Sequence, residues 1–158
     1  MVRLRIGATN TGDGVFALSA IKKGELVTEM SGKLMTDQEV DGAIDVGIIR
    51  ADDPFQIAED RFIKLDRVPY LFNHSCDPNA GIRKTNELCA LRDIQIGEEI
   101  TYDYSTTVCT HSSWSMKCLC GSAICRKLIK NVRSIPKKRR DEYRKMRALP
   151  AFTSKEVT

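Results

Sequence analysis

Three cysteines fall within eight residues, Cys118-Leu119-Cys120-Gly121-Ser122-Ala123-Ile124-Cys125, and few sequence features restrict a fold more tightly. Thiols this close crowd a common centre, and the glycine after the second lets the chain bend back around it. Cys76, Cys89 and Cys109 bring the total to six. Met1–Ile6 carries Arg3 and Arg5 but no apolar run long enough for a signal peptide or a membrane span, so an intracellular location is expected. In such a compartment the cysteines read as thiols or metal ligands rather than as three disulfides. Structural zinc takes four tetrahedral sulfur or nitrogen donors, so the cluster needs a fourth from elsewhere: Cys76, Cys109, His74 or His111. Copper or iron suits an all-thiolate site without a redox partner less well. Cys89, inside Leu88-Cys89-Ala90-Leu91, reads as a small core residue, and Cys109 as a spare thiol.

The 158 residues, 42% of them hydrophobic, suffice for one domain with a real core. Charged residues make up 29% with a net charge of +4, which excludes general disorder. The charge is unevenly spread. Residues 1–125 hold 13 basic and 18 acidic side chains, net −5, whereas residues 126–158 hold 12 basic and 3 acidic, net +9. Within the first part, residues 36–66 alone carry −6.

Val2–Thr9 alternates Val2, Leu4, Ile6 and Ala8 against Arg3, Arg5 and Gly7, the period of a half-buried strand. Thr11-Gly12-Asp13-Gly14 breaks it, an apolar run resumes at Val15–Leu18, and Leu26-Val27 opens another strand after the Lys22-Lys23-Gly24 turn. Thr36-Asp37-Gln38-Glu39 has the form of a capping box, so a short helix starts there, ahead of strands at 55–57 and 62–65. Asn73–Asn79 is too rich in turn formers for a regular element. Strands are expected at Cys89–Leu91 and Glu99–Tyr104, and a helix over Ser134–Leu149 with Pro136 near its first turn.

Four stretches together resemble the SET-domain protein lysine methyltransferases with an attached post-SET zinc segment, of the compact, stand-alone microbial type. They are Gly12-Asp13-Gly14-Val15-Phe16-Ala17 with Lys23-Gly24-Glu25 behind it, Asn73-His74-Ser75-Cys76-Asp77-Pro78-Asn79, Gly97-Glu98-Glu99-Ile100-Thr101-Tyr102-Asp103-Tyr104, and Cys118-x-Cys120-Gly121-Ser122-x-x-Cys125-Arg126. The resemblance covers residues 2–130. It implies a mostly β fold of several short sheets around a knot-like crossing, where Tyr102–Tyr104 passes the Asn73–Cys76 loop, with a small zinc-binding segment and a C-terminal helix. The implied organisation is a SET domain over 1–110 with a substrate-groove insert at 36–66, a post-SET segment over 111–130 and a basic helical tail over 131–158.

The same resemblance implies S-adenosylmethionine as methyl donor, leaving as S-adenosylhomocysteine. Gly12, Asp13, Gly14, Val15 and Phe16 correspond to the turn that holds it, Asn73 and His74 to the pair that hydrogen-bonds it, and Leu119 to a contact with the adenine. Cys76 corresponds to the cysteine that joins Cys118, Cys120 and Cys125 on zinc. Tyr104 matches the active-site tyrosine, whose hydroxyl orients the amine near the sulfonium. Tyr102, two residues earlier and so on the same strand face, matches a position whose tyrosine restricts the product to one or two methyl groups. Three residues depart from the pattern: Met30 where a tyrosine lines the lysine pocket, Lys127 where glycine follows the cysteine-arginine pair, and Tyr70 in place of an arginine.

The expected activity is therefore lysine methylation in a basic protein, histone-like or another chromatin or ribosomal protein, steered by the acidic insert. The alternative is a catalytically weak or inactive zinc-stabilised binding module for basic proteins, with Met30 as its chief support. Lys137-Lys138-Arg139-Arg140 offers a secondary contact to nucleic acid phosphates. A microbial source implies cytoplasm or nucleoid and a eukaryotic one the nucleus; no membrane association is expected.

Overall fold

The break in alternation at Thr11-Gly12 reverses the chain. In the computed structural model, which describes residues 2–157, β1 (Leu4–Thr9) runs antiparallel to β2 (Gly12–Ala17), from Leu4 opposite Ala17 to Thr9 opposite Gly12. Gly12 has φ +123°, a conformation that residues with a Cβ rarely adopt. The outermost residue of the expected 1–110 unit, of the 131–158 unit and of the Met1–Ile6 stretch lies outside the described residues.

Further along come β3 (Leu26–Glu29), β4 (Gly32–Thr36), α1 (Asp37–Asp45), β5 (Pro54–Ala58), β6 (Arg61–Leu65), α2 (Arg67–Tyr70) and β7 (Asn73–His74). They are followed by β8 (Ala80–Arg83), β9 (Glu87–Ala90), β10 (Thr101–Tyr102), β11 (Met116–Lys117), β12 (Leu128–Ile129), α3 (Lys137–Lys145) and α4 (Ala151–Ser154). The described strands form several short sheets: β3-β9-β8, β4-β6-β5, and the pairs β1-β2, β10-β7 and β11-β12. This is the expected mostly β architecture with a C-terminal helix.

The main core joins these small sheets through Val15, Ile21, Met30, Phe72, Ile82, Leu88, Ile94 and Ile100, all essentially inaccessible to solvent. Each such aliphatic side chain contributes about 1.5–3 kcal/mol over its exposed state. The acidic insert has its own small core of Met35, Val40 and Ile49, and α1 begins with the capping box foreseen at Thr36 and Glu39. The C-terminal residues pack too: Val132, Ile135, Tyr143, Ala148 and Leu149 enclose Leu91. A methyl on Gly81 would lie 2.8 Å from the Ala148 Cβ, so the bare glycine of β8 lets that turn approach.

Three elements differ from expectation. The strand at Glu99–Tyr104 shortens to Thr101–Tyr102, because the Asp103 side chain accepts from Ser105 N and winds Tyr104–Thr107 into a 3-10 turn. Two residues of the turn-rich loop, Asn73 and His74, become β7. The helix expected over Ser134–Leu149 spans Lys137–Lys145: Val132–Ser134 forms a 3-10 turn, and Arg147 at φ 56° turns Ala148 back onto the Tyr143 carbonyl.

Candidate functional site

The site begins with β10, whose Thr101 and Tyr102 lie parallel to Asn73 and His74 of β7. Buried Asn79 fixes β10 from the side, its Nδ2 donating to the Glu99 carbonyl (2.8 Å) and its Oδ1 accepting from Thr101 N (3.0 Å). Asn73 Nδ2 donates to the Asp13 carbonyl (3.1 Å) and to Glu99 Oε1 (2.8 Å), tying β2 into the cluster. Three stretches far apart in sequence thus meet at one point.

His74 sits behind them. The backbone N–H of Tyr104 points at its Nδ1 (3.2 Å), which is therefore the unprotonated nitrogen, and Nε2 faces Cys76 Sγ at 3.3 Å. Burial, reinforced by Arg126, pulls the imidazole down to about 3. The ring is neutral, so the 3.7 Å approach of Asp103 is not an ion pair. Tyr104 donates its hydroxyl to the Phe72 carbonyl (2.8 Å), and its ring lies 5.3 Å from His74 and 4.8 Å from Tyr102. Burial pushes both phenols above their ordinary range, so both keep their protons. The Tyr102 hydroxyl has no hydrogen-bond partner among the described residues. Tyr104 opens the 3-10 turn rather than sharing a strand face with Tyr102, yet the two rings still touch.

The thiols gather beside this point. Cys76 Sγ lies 3.7 Å from Cys118 Sγ, and donor atoms of His74, Cys76, Cys118 and Cys120 all lie within 4.8 Å of one another. Cys125 packs with Cys76 and Cys118, its thiol facing the Cys118 carbonyl at 3.9 Å. Burial pushes the Cys118 thiol up. It opposes ionisation of Cys120 as well, but hydrogen bonding with Ser122 and Cys76 brings that thiol down to about 6. Soft sulfur donors packed this closely, one of them readily ionised, suit zinc. His111 and Cys109 lie outside this group and approach Glu156 instead.

A cavity of about 540 Å³ opens on the cluster and is lined by Asn73, His74, Ser75, Tyr104, Leu119 and Cys120, among others. The N-terminal hairpin contributes its turn, Thr9–Thr11, to the wall. Val15 is buried in the core, and Phe16 stacks under Arg5 at 4.5 Å. Gly14 sits where a Cβ would come within 2.6 Å of Glu99 Oε1. Leu119, 64% exposed, is an apolar side chain presented at the rim.

Asp103, Arg126 and Glu99 carry roles that the sequence reading assigned to none of them. Arg126 Nη2 donates to Asp103 Oδ1 (2.6 Å) and Ser105 Oγ (3.3 Å), while its backbone N–H donates to Cys76 Sγ (3.3 Å). Burial pushes the Asp103 carboxyl up, and Arg126, Ser105 and Tyr143 restrain that rise. The available signal was an acid between two tyrosines and an arginine directly after the last thiol.

The departures also have places. Met30 is fully buried in the main core, the cluster that also holds Tyr102. The Tyr70 hydroxyl accepts from Arg50 (2.6 Å) and donates to Asp53 (3.0 Å), bracing the acidic insert, and Trp114 Nε1 reaches Asp52 (2.8 Å). Lys127 takes φ 65°, the conformation that a glycine would supply. In the basic run, Lys137 pairs with Asp141, Arg139 with Asp77 and Glu142, and Arg140 donates to the Ile135 carbonyl. No helix among the described residues is long and apolar enough to cross a membrane.

Residues 12–105, more than half of the chain, match the family described as SET domain. The chain is 31% identical over 148 residues to the probable histone-lysine N-methyltransferase set-23 of Caenorhabditis briggsae, covering 80% of this chain and 60% of that one. It is 34% identical over 132 residues to the variant-silencing SET domain-containing protein of Plasmodium falciparum (isolate 3D7), covering 73% of this chain and 5% of that one. The chain thus spans less than two thirds of these relatives. The methyltransferase domain of human histone-lysine N-methyltransferase SETMAR superposes with a TM-score of 0.67 at 22% identity, over 83% of this chain and 59% of that one, a likeness of fold.

Proposed function

The chain belongs to the SET-domain family, and on that footing we propose that it is a protein-lysine N-methyltransferase that uses S-adenosylmethionine to modify a basic protein, histone tails first among the substrates to test. The observation that carries this reading is the meeting of Asn73, His74 and Tyr104 in one cavity wall, with the Tyr102 ring packed against Tyr104. Relatives named as histone-lysine methyltransferases and the net −6 of residues 36–66 support a basic substrate.

The residues fit the donor chemically. Asn73, Ser75 and the Thr9–Thr11 turn offer polar groups at the cavity wall, with Gly12–Phe16 bracing the turn behind them and Leu119 covering an apolar ring. Bound S-adenosylmethionine supplies an electrophilic methyl group. Attack by an amine requires in-line alignment, so catalysis is chiefly a matter of positioning. The Tyr104 hydroxyl proton is committed to the Phe72 carbonyl, so its oxygen presents lone pairs to the amine N–H. The buried surroundings of Tyr102, Phe55 and Met30 disfavour a charged ammonium and favour the neutral amine. The unpartnered Tyr102 hydroxyl takes up room and a hydrogen bond near the amine, which supports mono- or dimethylation.

For the metal we assign Cys76, Cys118, Cys120 and Cys125 to zinc. His74 already uses Nδ1 with Tyr104 N, which supports it as a donor to Cys76 rather than a ligand. The ion would clamp residues 111–130, as a post-SET segment, against a SET unit over 1–110 that includes the 36–66 insert, with the basic 131–158 unit packed against Leu91 and Asp103. A chromatin-facing location goes with a histone substrate, and nucleic acid contact through Lys138 would be secondary.

Incubation of the full chain with tritiated S-adenosylmethionine and a panel of basic proteins tests this reading. Label on lysine supports it; no cofactor binding by isothermal titration overturns it. Met30 favours the second reading, an inactive binding module, which would bind cofactor or basic protein without transfer.

A further inference from the structure

We propose that Cys109, His111 and Glu156 form a second metal site, taking a borderline divalent cation such as zinc and fastening the C-terminal segment to the loop that precedes the cysteine-rich stretch. One donor atom from each lies within 4.8 Å of the others, and none of the three belongs to the cluster at His74, Cys76, Cys118 and Cys120. Thiolate, imidazole and carboxylate together are a donor set that zinc accepts, and three protein ligands leave a position for solvent beside exposed His111.

The backbone around the donors is braced from several sides. Cys109 N donates to Oε1 of buried Gln56 (3.0 Å), fixing the loop to β5. Asn131 Nδ2 donates to the carbonyls of Thr110 (3.0 Å) and Ser112 (3.3 Å), bracing the backbone on either side of His111. Thr110 N donates to Glu156 Oε2 (2.8 Å), the kind of outer contact that orients a ligating carboxylate. From the other side, Arg144 Nη2 donates to the Val157 carbonyl (2.8 Å) and Thr153 Oγ1 to the Thr106 carbonyl (2.7 Å), which bring the C-terminal turn to the loop. On binding, the thiol proton leaves to solvent as the sulfur–metal bond forms.

The proposal does not depend on methyl transfer. Native mass spectrometry of the full chain, stripped with chelator and reloaded with stoichiometric zinc, tests it by comparing wild type with the double variant His111→Ala, Glu156→Gln. The expected result is one zinc ion fewer per chain in the variant, whatever number the other thiols hold. Cobalt loading should likewise lose part of its thiolate charge-transfer absorption in Cys109→Ser. Because Cys109 is buried and that variant risks misfolding, the exposed His111 position carries the decision, with circular dichroism checking the fold. Equal zinc counts in wild type and double variant, or an extra ion that appears only at large metal excess, overturn the proposal.

Discussion

The two sides of the cavity keep their shape by different means. Residues 9–104 are fixed by the fully buried core and by hydrogen bonds to the side chains of Asn79 and His74 and from that of Asn73, which leave little freedom at Tyr104. Residues 116–129 have two-residue strands, exposed Leu119 and Ile124, and a small cluster of thiols around Ile129. So short a segment buries too little apolar surface to offset its own ordering. The first side is self-supporting; the second depends on what binds its thiols and on the Asp103–Arg126 pair. Half of the site is therefore ready before any ligand arrives, and half is conditional.

The sharpest way to break this comparison is to cut the strap between the sides. Asp103 is 1% and Arg126 12% exposed at the side chain, so Asp103→Ala leaves a guanidinium and the Tyr143 hydroxyl without their partner. Removing one member of a buried pair costs about 3–5 kcal/mol. Urea denaturation should register a loss of that size, and a loss below about 1 kcal/mol would mean that the pair is not the strap.

Next comes the preorganised side itself. Tyr104→Phe keeps the ring contacts with His74 and Tyr102 but deletes the oxygen held by the Phe72 carbonyl. Loss of one positioned polar group at a reacting centre typically costs about 10²–10³-fold in turnover. Tritium transfer should fall by that factor with cofactor affinity nearly unchanged; unaltered transfer would remove Tyr104 from the chemistry.

The conditional side should respond to metal. Partners in the outer shell of a metal site are commonly worth about 10–100-fold in affinity or activity. Replacing a proposed ligand, Cys120→Ser, or stripping the ion with chelator should therefore lower transfer by at least tenfold, while the far-ultraviolet signature of the β core persists. Full activity in a verified metal-free sample would show that 116–129 holds itself.

What the sequence made legible follows the same division. The strand at 4–9, the capping box at Thr36 and Glu39 and the crowding of Cys118, Cys120 and Cys125 are local patterns, where periodicity or spacing acts over a few residues. The parallel pairing of Thr101-Tyr102 with Asn73-His74 joins segments 28 residues apart and leaves no periodic trace. Nor does any single-chain pattern announce that Asp103 ends β10 by capping the following turn, or that Arg126 will find it. Thiol spacing brought out the cysteines and left His74 among several candidates for a fourth donor; that His74 gathers with Cys76, Cys118 and Cys120 depends on how β7 enters the site.

Smallest in energy, and most informative about the amine, is Tyr102→Phe. The Tyr102 hydroxyl lacks a partner among the described residues, so its removal leaves no stranded donor in the protein and should change stability little. What changes is the room and the hydrogen bond offered to a partly methylated lysine. One such bond is worth about 0.5–1.5 kcal/mol, enough to move a product ratio by up to about tenfold. Mass spectrometry of the methylated substrate should therefore show higher methylation states gaining over the monomethyl product, with total turnover within a few fold of wild type. An unchanged product distribution would remove the Tyr102 hydroxyl from the control of product methylation.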